Sequence, residues 1–307
     1  MKVGIIGTSW GRVHVGTFRE AGHEIAGIVG TNPEGTARIA AEEGIPLAST
    51  NAADLQHCDI IVIASPTSTH LDYLSQFNDR PVLCEKPLTG AQIVPGALAG
   101  LGRYPTFVNY PFSFLETAKS IQKILDDGEL GPLSRVVLSV GCRFPMQKSP
   151  AGWFLDIAAH PLSFLIHTLG EFQLVHHHIG EGVSNVSALL ESEGTLLDTQ
   201  LYRLPETGIQ IDLKLIGELK RLELSGGFRP GDNWRFAPIK VDGQENNEGE
   251  WDTRDIWYSA NCRVVEQFLK VVEGKTPHVE ALNNGMFDLP KAALLERSLD
   301  RLLATDS

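Results

Sequence analysis

The sequence predicts an α/β protein: a doubly wound parallel sheet over residues 1–112, then an α+β domain over 113–307 built on an open, mainly antiparallel sheet. Three observations carry this. Through the first 110 residues, short apolar runs alternate with helically spaced stretches of roughly ten residues, and strands joined by helices pair in parallel through right-handed crossovers. After residue 112 that alternation stops, and runs of period two follow one another, the pattern of antiparallel strands with one covered face. The 307 residues, 42% apolar and 21% charged, suffice for sizeable cores of ordinary globular composition.

"KVGIIG" (2–7) is a short apolar run ending in glycine, a first strand. "GRVHVGTFREAG" (11–22) spaces Val13, Val15 and Phe18 along a helix that Gly22 stops. "HEIAGIVG" (23–30) reads as a strand and "PEGTARIAAEEG" (33–44) as a helix with a glycine stop. "DIIVIASP" (59–66) is a buried-strand run, "STHLDYLSQF" (68–77) a helix, "PVLCEK" (81–86) a strand and "PTFVNY" (105–110) a further strand. "FSFLETAKSIQKILDDG" (112–128) reads as one amphipathic helix. Strand-like runs follow at "SRVVLSVGCRF", "SNVSALLES", "TLLDTQLYRL", "GIQIDLKLIG" and "KRLELSG". "GFRPGDNWRF" (227–236) and "DGQENNEGEWD" (242–252) are turn-rich loops, and helices near 254–272 and 286–304 close the chain.

Several function classes are excluded. The balance of 26 basic against 38 acidic side chains gives a formal charge of -12 with no basic stripe, unlike a nucleic-acid surface. No uncharged apolar segment approaches the roughly 18 residues of a membrane span, and the apolar run of "MKVGIIGTSWG" is too short for a signal peptide, so no membrane partner and a cytoplasmic location are expected. Cys58, Cys84, Cys142 and Cys262 lie far apart with no C-x-x-C pair, and Cys58 and Cys84 read as buried thiols. In "VHHH" (175–178) strand neighbours point to opposite faces, so three consecutive histidines do not converge on one ion. No metal site is expected.

In a doubly wound sheet, ligands bind at the carboxyl ends of the strands. The residues there are Thr8 to Gly11, Thr31 and Asn32, Ser65 to Thr69, and Glu85 to Pro87. "GTSWGR" (7–12), between the first strand and the first helix, is an imperfect dinucleotide fingerprint. Gly7 fills the first glycine position, Ser9 stands at the second and Arg12 at the third, with Gly11 one residue early. The Ser9 hydroxyl can donate to a phosphate, and the helix N-terminus offers N–H groups and a positive dipole end. A glycine turn in an unliganded α/β domain is the plainer alternative. At the end of the second strand stand Thr31 and Asn32, with no acid before Glu34. A hydroxyl and an amide can hydrogen-bond a 2′-phosphate, which points to NADP(H) over NAD(H), with Arg12 and Arg38 as candidate helpers. The expected cofactor contacts are Gly7, Thr8, Ser9, Trp10, Gly11, Arg12, Thr31, Asn32, Ser65, Pro66, Thr67, His70, Glu85 and Lys86. Thr67 or Ser68 can cap the helix that follows, and His70 is expected to pack at its start.

"VLCEKPLTG" (82–90) places Lys86 where the chain leaves a buried strand. An ammonium at a partly buried cleft can give up a proton and take it back, and Pro87 sets φ and removes a donor, fixing the lysine's exit. Glu85 can orient the loop or pair with Lys86; a strand-end lysine paired to a carboxylate is the structural alternative. In "WFLDIAAHPLSF", if residues 152–169 are helical, Asp156 and His160 are i and i+4 on one face, with Ser163 and His167 continuing the stripe. A carboxylate one turn from an imidazole can fix its tautomer, although Pro161 is expected to interrupt the helix. A core histidine held by a nearby carboxylate would look the same. Trp153, Arg143 and Tyr110 can line a cleft or pack in a core.

Taken in order, "KVGIIGT", "IASPTSTH" (63–70), "VLCEKPL" (82–88), "ILDDGELGPLSRV" (124–136) and "LDIAAHPLSFLIHTLG" (155–170) resemble the Gfo/Idh/MocA family of NAD(P)-dependent oxidoreductases, named after glucose–fructose oxidoreductase and inositol dehydrogenase. The resemblance spans the first 170 residues well and the rest loosely. It implies a Rossmann domain followed by a substrate domain. Lys86 would lie near the nicotinamide and the reacting hydroxyl or carbonyl as proton donor or acceptor, Pro66 beside the nicotinamide ring, and Asp156 and His160 in substrate binding and proton transfer. The implied reaction is hydride transfer between nicotinamide and a carbon of a small molecule, a sugar, sugar derivative or cyclitol. The second domain's sheet would supply a homo-oligomer interface, dimer or tetramer. The position three after the histidine, commonly an acid that helps bind a polyol, is Ser163 here. "GTSWGRVH" is also similar to the glycine loop of thiazolinyl imide reductases, and some relatives of this fold act as nucleotide-sensing regulators. Glu85-Lys86-Pro87 favours the carbohydrate-type branch over imine reduction, and the retained Lys86, Asp156 and His160 argue against a regulator.

Overall fold

The computed structural model describes residues 1–89, 96–143, 156–180, 185–247, 249–251 and 255–303. In chain order the strands are β1 (Lys2–Ile6), β2 (Glu24–Val29), β3 (Ala48–Ser49), β4 (Ile60–Ile63), β5 (Val82–Glu85), β6 (Thr106–Asn109), β7 (Leu133–Arg143), β8 (Gln173–Ile179), β9 (Asn185–Ser192), β10 (Thr195–Arg203), β11 (Gly208–Gly217), β12 (Arg221–Phe228), β13 (Arg235–Phe236), β14 (Lys240–Val241), β15 (Gln244–Glu245), β16 (Glu250–Trp251) and β17 (Phe287–Asp288). The helices are α1 (Gly11–Glu20), α2 (Pro33–Glu42), α3 (His70–Gln76), α4 (Glu116–Asp126), α5 (Ala159–Leu169), α6 (Ile256–Val272), α7 (His278–Asn283) and α8 (Leu289–Leu303).

The chain forms two compact units, Met1–Tyr110 with Ala260–Glu296, and Pro111–Ser259 with Arg297–Ser307. This differs from the single cut expected after residue 112. The reason lies in the packing of α6: Phe268 meets Phe18 and Phe107 edge-on, with ring centroids 6.4 and 6.2 Å apart. An amphipathic helix announces that it has a buried face, not which sheet will cover it.

In the first unit the strands run β3-β2-β1-β4-β5-β6, all parallel, the order of a dinucleotide-binding doubly wound sheet. Ile60, Ile61, Val62 and Ile63 are fully buried, as are Val3, Ile5 and Leu83. Each such side chain contributes about 1.5–3 kcal/mol by leaving water. Two strands were not foreseen: β3, beside β2, and β17, which joins β6 antiparallel, pairing Phe287 with Val108. Two residues carry no periodicity to read.

In the second unit the sheet runs β15-β14-β12-β11-β7-β10-β9-β8. Its pairs are antiparallel except β7 with β10. Alternate residues of β7 (Val136, Leu138, Val140 and Cys142) are fully buried, the period-two signature of one covered face. Three expectations are corrected here. Residues 112–128 are not one helix: Pro111–Phe114 form a 3-10 turn and α4 starts at Glu116. The carboxylate of Glu250 accepts the backbone N–H of Glu116 at 3.0 Å and of Thr117 at 2.9 Å, a cap supplied from far along the chain and so invisible locally. The run 152–169 is not one helix: a turn at Ala158 interrupts it just before Pro161, α5 starts at Ala159, and Pro161 lies in the first turn, where a missing N–H costs nothing. The turn-rich stretches 227–236 and 242–252 contain the short strands β13, β15 and β16 within their described residues, and β14 lies between the two stretches.

Among the described residues, no helix is long and apolar enough to cross a membrane. None of the four cysteines is in a disulfide. His176, His177 and His178 lie on the edge strand β8, and no described group of three His, Cys, Asp or Glu side chains is arranged to hold a metal ion.

Candidate nucleotide and catalytic site

The parallel strands of the first unit deliver Thr8 to Gly11, Thr31 and Asn32, Ser65 to Thr69, and Lys86 to Thr89 to the carboxyl edge of one sheet. Gly7 leaves β1 at φ +117°, and a Cβ there would lie 2.1 Å from the carbonyl oxygen of Ala64. Only glycine allows that conformation and that approach. Gly11 does the packing work of the fingerprint's last glycine, since a Cβ on it would lie 2.8 Å from Cγ2 of Ile5. The displaced glycine therefore keeps helix and strand close, and Arg12 is an exposed helix residue. No side chain caps the N-terminus of α1, so its first-turn N–H groups and positive dipole end suit a pyrophosphate. Ser9 is exposed there, and the Trp10 side chain is 49% exposed.

At the end of β2, Thr31 is exposed and Asn32 caps α2, its Oδ1 accepting the Gly35 N–H at 2.9 Å. Arg12 lies 2.7 Å from a Glu43 oxygen and 3.2 Å from Glu42. Arg38 is 3.8 Å from Glu42. These exposed pairs are individually weak, yet they hold the arginines that were candidates for a 2′-phosphate.

Lys86 is half-buried and follows β5 directly. Its neighbour Glu85 is only 6% exposed and is turned into the core, not towards a cofactor as expected. Glu85 Oε1 lies 2.7 Å from Nε2 of His14 and accepts Nδ2 of Asn109 at 2.7 Å, while Oε2 accepts the backbone N–H of Lys86 at 3.3 Å. Asn109 donates again to Oδ1 of Asn261 at 2.6 Å. Burial pushes the Glu85 carboxyl up, but the His14 hydrogen bond and charge, Asn109 and the Lys86 charge outweigh it and hold the group below its ordinary value.

His70, likewise expected among the cofactor contacts, is 1% exposed. Its ring sits between two carbonyl oxygens, Nε2 at 2.9 Å from Ser65 and Nδ1 at 3.0 Å from Pro87. It thus ties the loop after β4 to the loop after β5. Ser65 and Thr69 hydroxyls meet at 2.8 Å within the first of these loops, which leaves Pro66 exposed and Thr67 half-buried.

Asp156 and His160 belong to the second unit and both are half-buried. His160 lies in the first turn of α5, whereas Asp156 precedes that helix across a turn at Ala158, so the two are not i and i+4 of one continuous helix as expected. The His160 ring lies 4.7 Å from the Trp257 ring, which meets Trp234 edge-on at 5.2 Å. Ser163 is fully buried and donates its hydroxyl to the His160 carbonyl at 2.7 Å, so it does not replace an acid at a ligand surface. Tyr110 is a core residue, and Trp153 lies outside the described residues. Sequence reasoning missed His14, Asn109, Asn261 and Glu296. The one local signal was a histidine among the apolar positions of α1; the rest are polar residues whose partners lie far along the chain.

Residues 1–94 match the model of the Gfo/Idh/MocA oxidoreductase family, described as an NAD-binding Rossmann fold. Inositol 2-dehydrogenase of Rhizobium meliloti (strain 1021) is 24% identical over 185 residues, 56% of this chain and 56% of that protein, so the match spans little more than half the relative's length. A myo-inositol dehydrogenase from Corynebacterium glutamicum ATCC 13032 has a similar structure, with a TM-score of 0.73 at 19% identity over 99% of this chain and 96% of that one. The WlbA dehydrogenase from Bordetella pertussis, solved with NADH and UDP-GlcNAcA, gives 0.73 at 16% identity over 99% and 97%. These structural likenesses speak to the fold. Residues 1–94 of the chain thus carry a domain matching the NAD-binding Rossmann fold of the Gfo/Idh/MocA oxidoreductase family.

Proposed function

We propose that this protein is a nicotinamide-dinucleotide-dependent oxidoreductase acting at a hydroxyl or carbonyl carbon of a small polyol- or sugar-like molecule. The observation that carries the reading is Lys86: a half-buried amine at the carboxyl end of β5, on the sheet edge that also presents the glycine loop. The dinucleotide, when bound, supplies hydride donation or acceptance at its nicotinamide ring. Gly7 to Gly11 and the α1 N-terminus hold its pyrophosphate, and the loop around Pro66 flanks the ring. Lys86 Nζ holds or delivers the proton that the substrate oxygen gains or loses. On the resemblance, Asp156 and His160 bind substrate hydroxyls. The inositol and sugar-nucleotide dehydrogenases among the similar proteins support a polyol or sugar class.

Nucleotide choice is part of the proposal. The absence of a carboxylate at Thr31 and Asn32 supports NADP(H). Against it, Asn32 uses its side-chain oxygen to cap α2, and Arg12 is held by Glu42 and Glu43; the matching family is also NAD-binding. A cytoplasmic setting and self-association through the second unit's sheet are carried forward with this reading. Sedimentation velocity tests the latter.

The deciding experiment pairs an equilibrium titration with NADH and NADPH against turnover on a polyol and sugar panel, for the wild type and Lys86→Met. Loss of turnover by about 10²–10⁴-fold with dinucleotide binding retained supports the reading. Binding of a dinucleotide without turnover on any substrate supports a nucleotide-sensing regulator, and absence of binding removes the proposal.

A further inference from the structure

The backbone on either side of Lys86 is gripped by a buried carboxylate. Before it stands Glu85, described above. After it comes Glu296, a residue of α8 that is 3% exposed. Pro87 has no N–H to give, so the first two donors beyond Lys86 are the amides of Leu88 and Thr89, and Glu296 accepts both: Oε1 from Leu88, Oε2 from Thr89 at 2.8 Å. The Thr89 hydroxyl donates to Oε2 at 2.9 Å, and the Tyr110 hydroxyl to Oε1 at 2.9 Å. All these residues lie in the first unit. A carboxylate offers acceptors only, so it matches this set of donors in full, and a buried anion is tolerated only where it is so saturated.

We infer that Glu296 is a positioning residue for Lys86: it fixes the path of the loop after β5 and thereby the place from which the amine reaches its reaction partner. The inference rests on the proposed role of Lys86 and adds a determinant more than 200 positions away in sequence, on a helix whose own residues include no candidate catalytic group. Charge, not bulk, is the essential property. Glu296→Gln keeps the volume but turns an NH₂ donor towards at least one donor of the loop.

The test reads Lys86 itself. Wild type, Glu296→Gln and Leu295→Val are labelled with an amine-acylating reagent at fixed pH, and the rate at Lys86 is followed by peptide mass spectrometry with Lys2 as internal standard. Leu295 is fully buried on the same helix and controls for simple loosening. Glu296→Gln is expected to change the Lys86 rate about 3-fold or more and to lower kcat by about 10–100-fold at little change in dinucleotide affinity, while Leu295→Val lowers only the melting temperature. An unchanged Lys86 rate in Glu296→Gln overturns the inference. A separate arm adds NADH to the wild type: no protection of Lys86 there counts against the proposed function, whatever Glu296→Gln does. Should Glu296→Gln not fold, Thr89→Val withdraws the hydroxyl donor alone and is read the same way, with a smaller shift expected and no shift refuting the role.

Discussion

Nε2 of His14, on α1, lies 2.7 Å from Oε1 of Glu85 at the end of β5, with both side chains almost sealed from solvent. The first helix of the nucleotide loop and the strand that presents Lys86 are thereby joined by a polar contact inside the core. Because the Glu85 carboxyl is lowered on folding, its stabilisation is complete above the unfolded glutamate value and is lost as pH falls through the lowered native value. The wild-type urea midpoint is expected to fall on acidification through and below the ordinary carboxylate range, with Glu85→Gln showing a flatter acid limb. At neutral pH, His14→Leu is expected to cost about 3 kcal/mol by stripping a buried carboxylate of a donor. Parallel acid limbs for wild type and Glu85→Gln would show that another group governs the acid loss.

The two glycines of the nucleotide loop are expected to fail differently. Gly11→Ala pushes a methyl towards Ile5 and is expected to cost about 1–3 kcal/mol as an overpacked contact, with weakened dinucleotide binding. Gly7→Ala meets backbone, the Ala64 carbonyl, at a positive φ and should lower the melting temperature further and abolish binding. Thermal melts beside dinucleotide titrations check the order.

Releasing Arg12 should change nucleotide choice. Glu43→Gln removes the nearer of its two carboxylate partners, and the NADPH-to-NADH affinity ratio is expected to rise about 2- to 5-fold, the worth of one exposed ion pair. An unmoved ratio would place Arg12 outside the ribose end of the site.

Thiol reactivity offers a check on burial. Burial pushes Cys58 up to about 11, and burial with the Asp156 charge does the same for Cys142, also about 11. Burial, with the Glu85 and Glu296 charges, also pushes the fully buried Cys84 well above the ordinary thiol value. Since the thiolate is the reactive form, a disulfide reagent at neutral pH should label only the half-buried Cys262 in the native protein, and all four after unfolding.

The strand–helix alternation of residues 1–110, the glycine loop, the strand-end position of Lys86 and the period-two runs of the second sheet could all be read from the chain, because each is written in local periodicity or in one residue's backbone preference. Where Gly11 packs was half visible, as a displaced glycine whose partner Ile5 only the fold reveals.

Sequence alone therefore determined the two kinds of sheet and the loops gathered at the first sheet's carboxyl edge. Tertiary structure decided that Ala260–Glu296 belongs with that sheet, that Glu85 and His70 turn inward, that Glu250 starts α4, and that Glu296 holds the loop beyond Lys86. The physical reason is common to all four. A buried polar group or apolar helix face must find a complementary partner, but its own neighbours in sequence do not say which distant residue will be that partner.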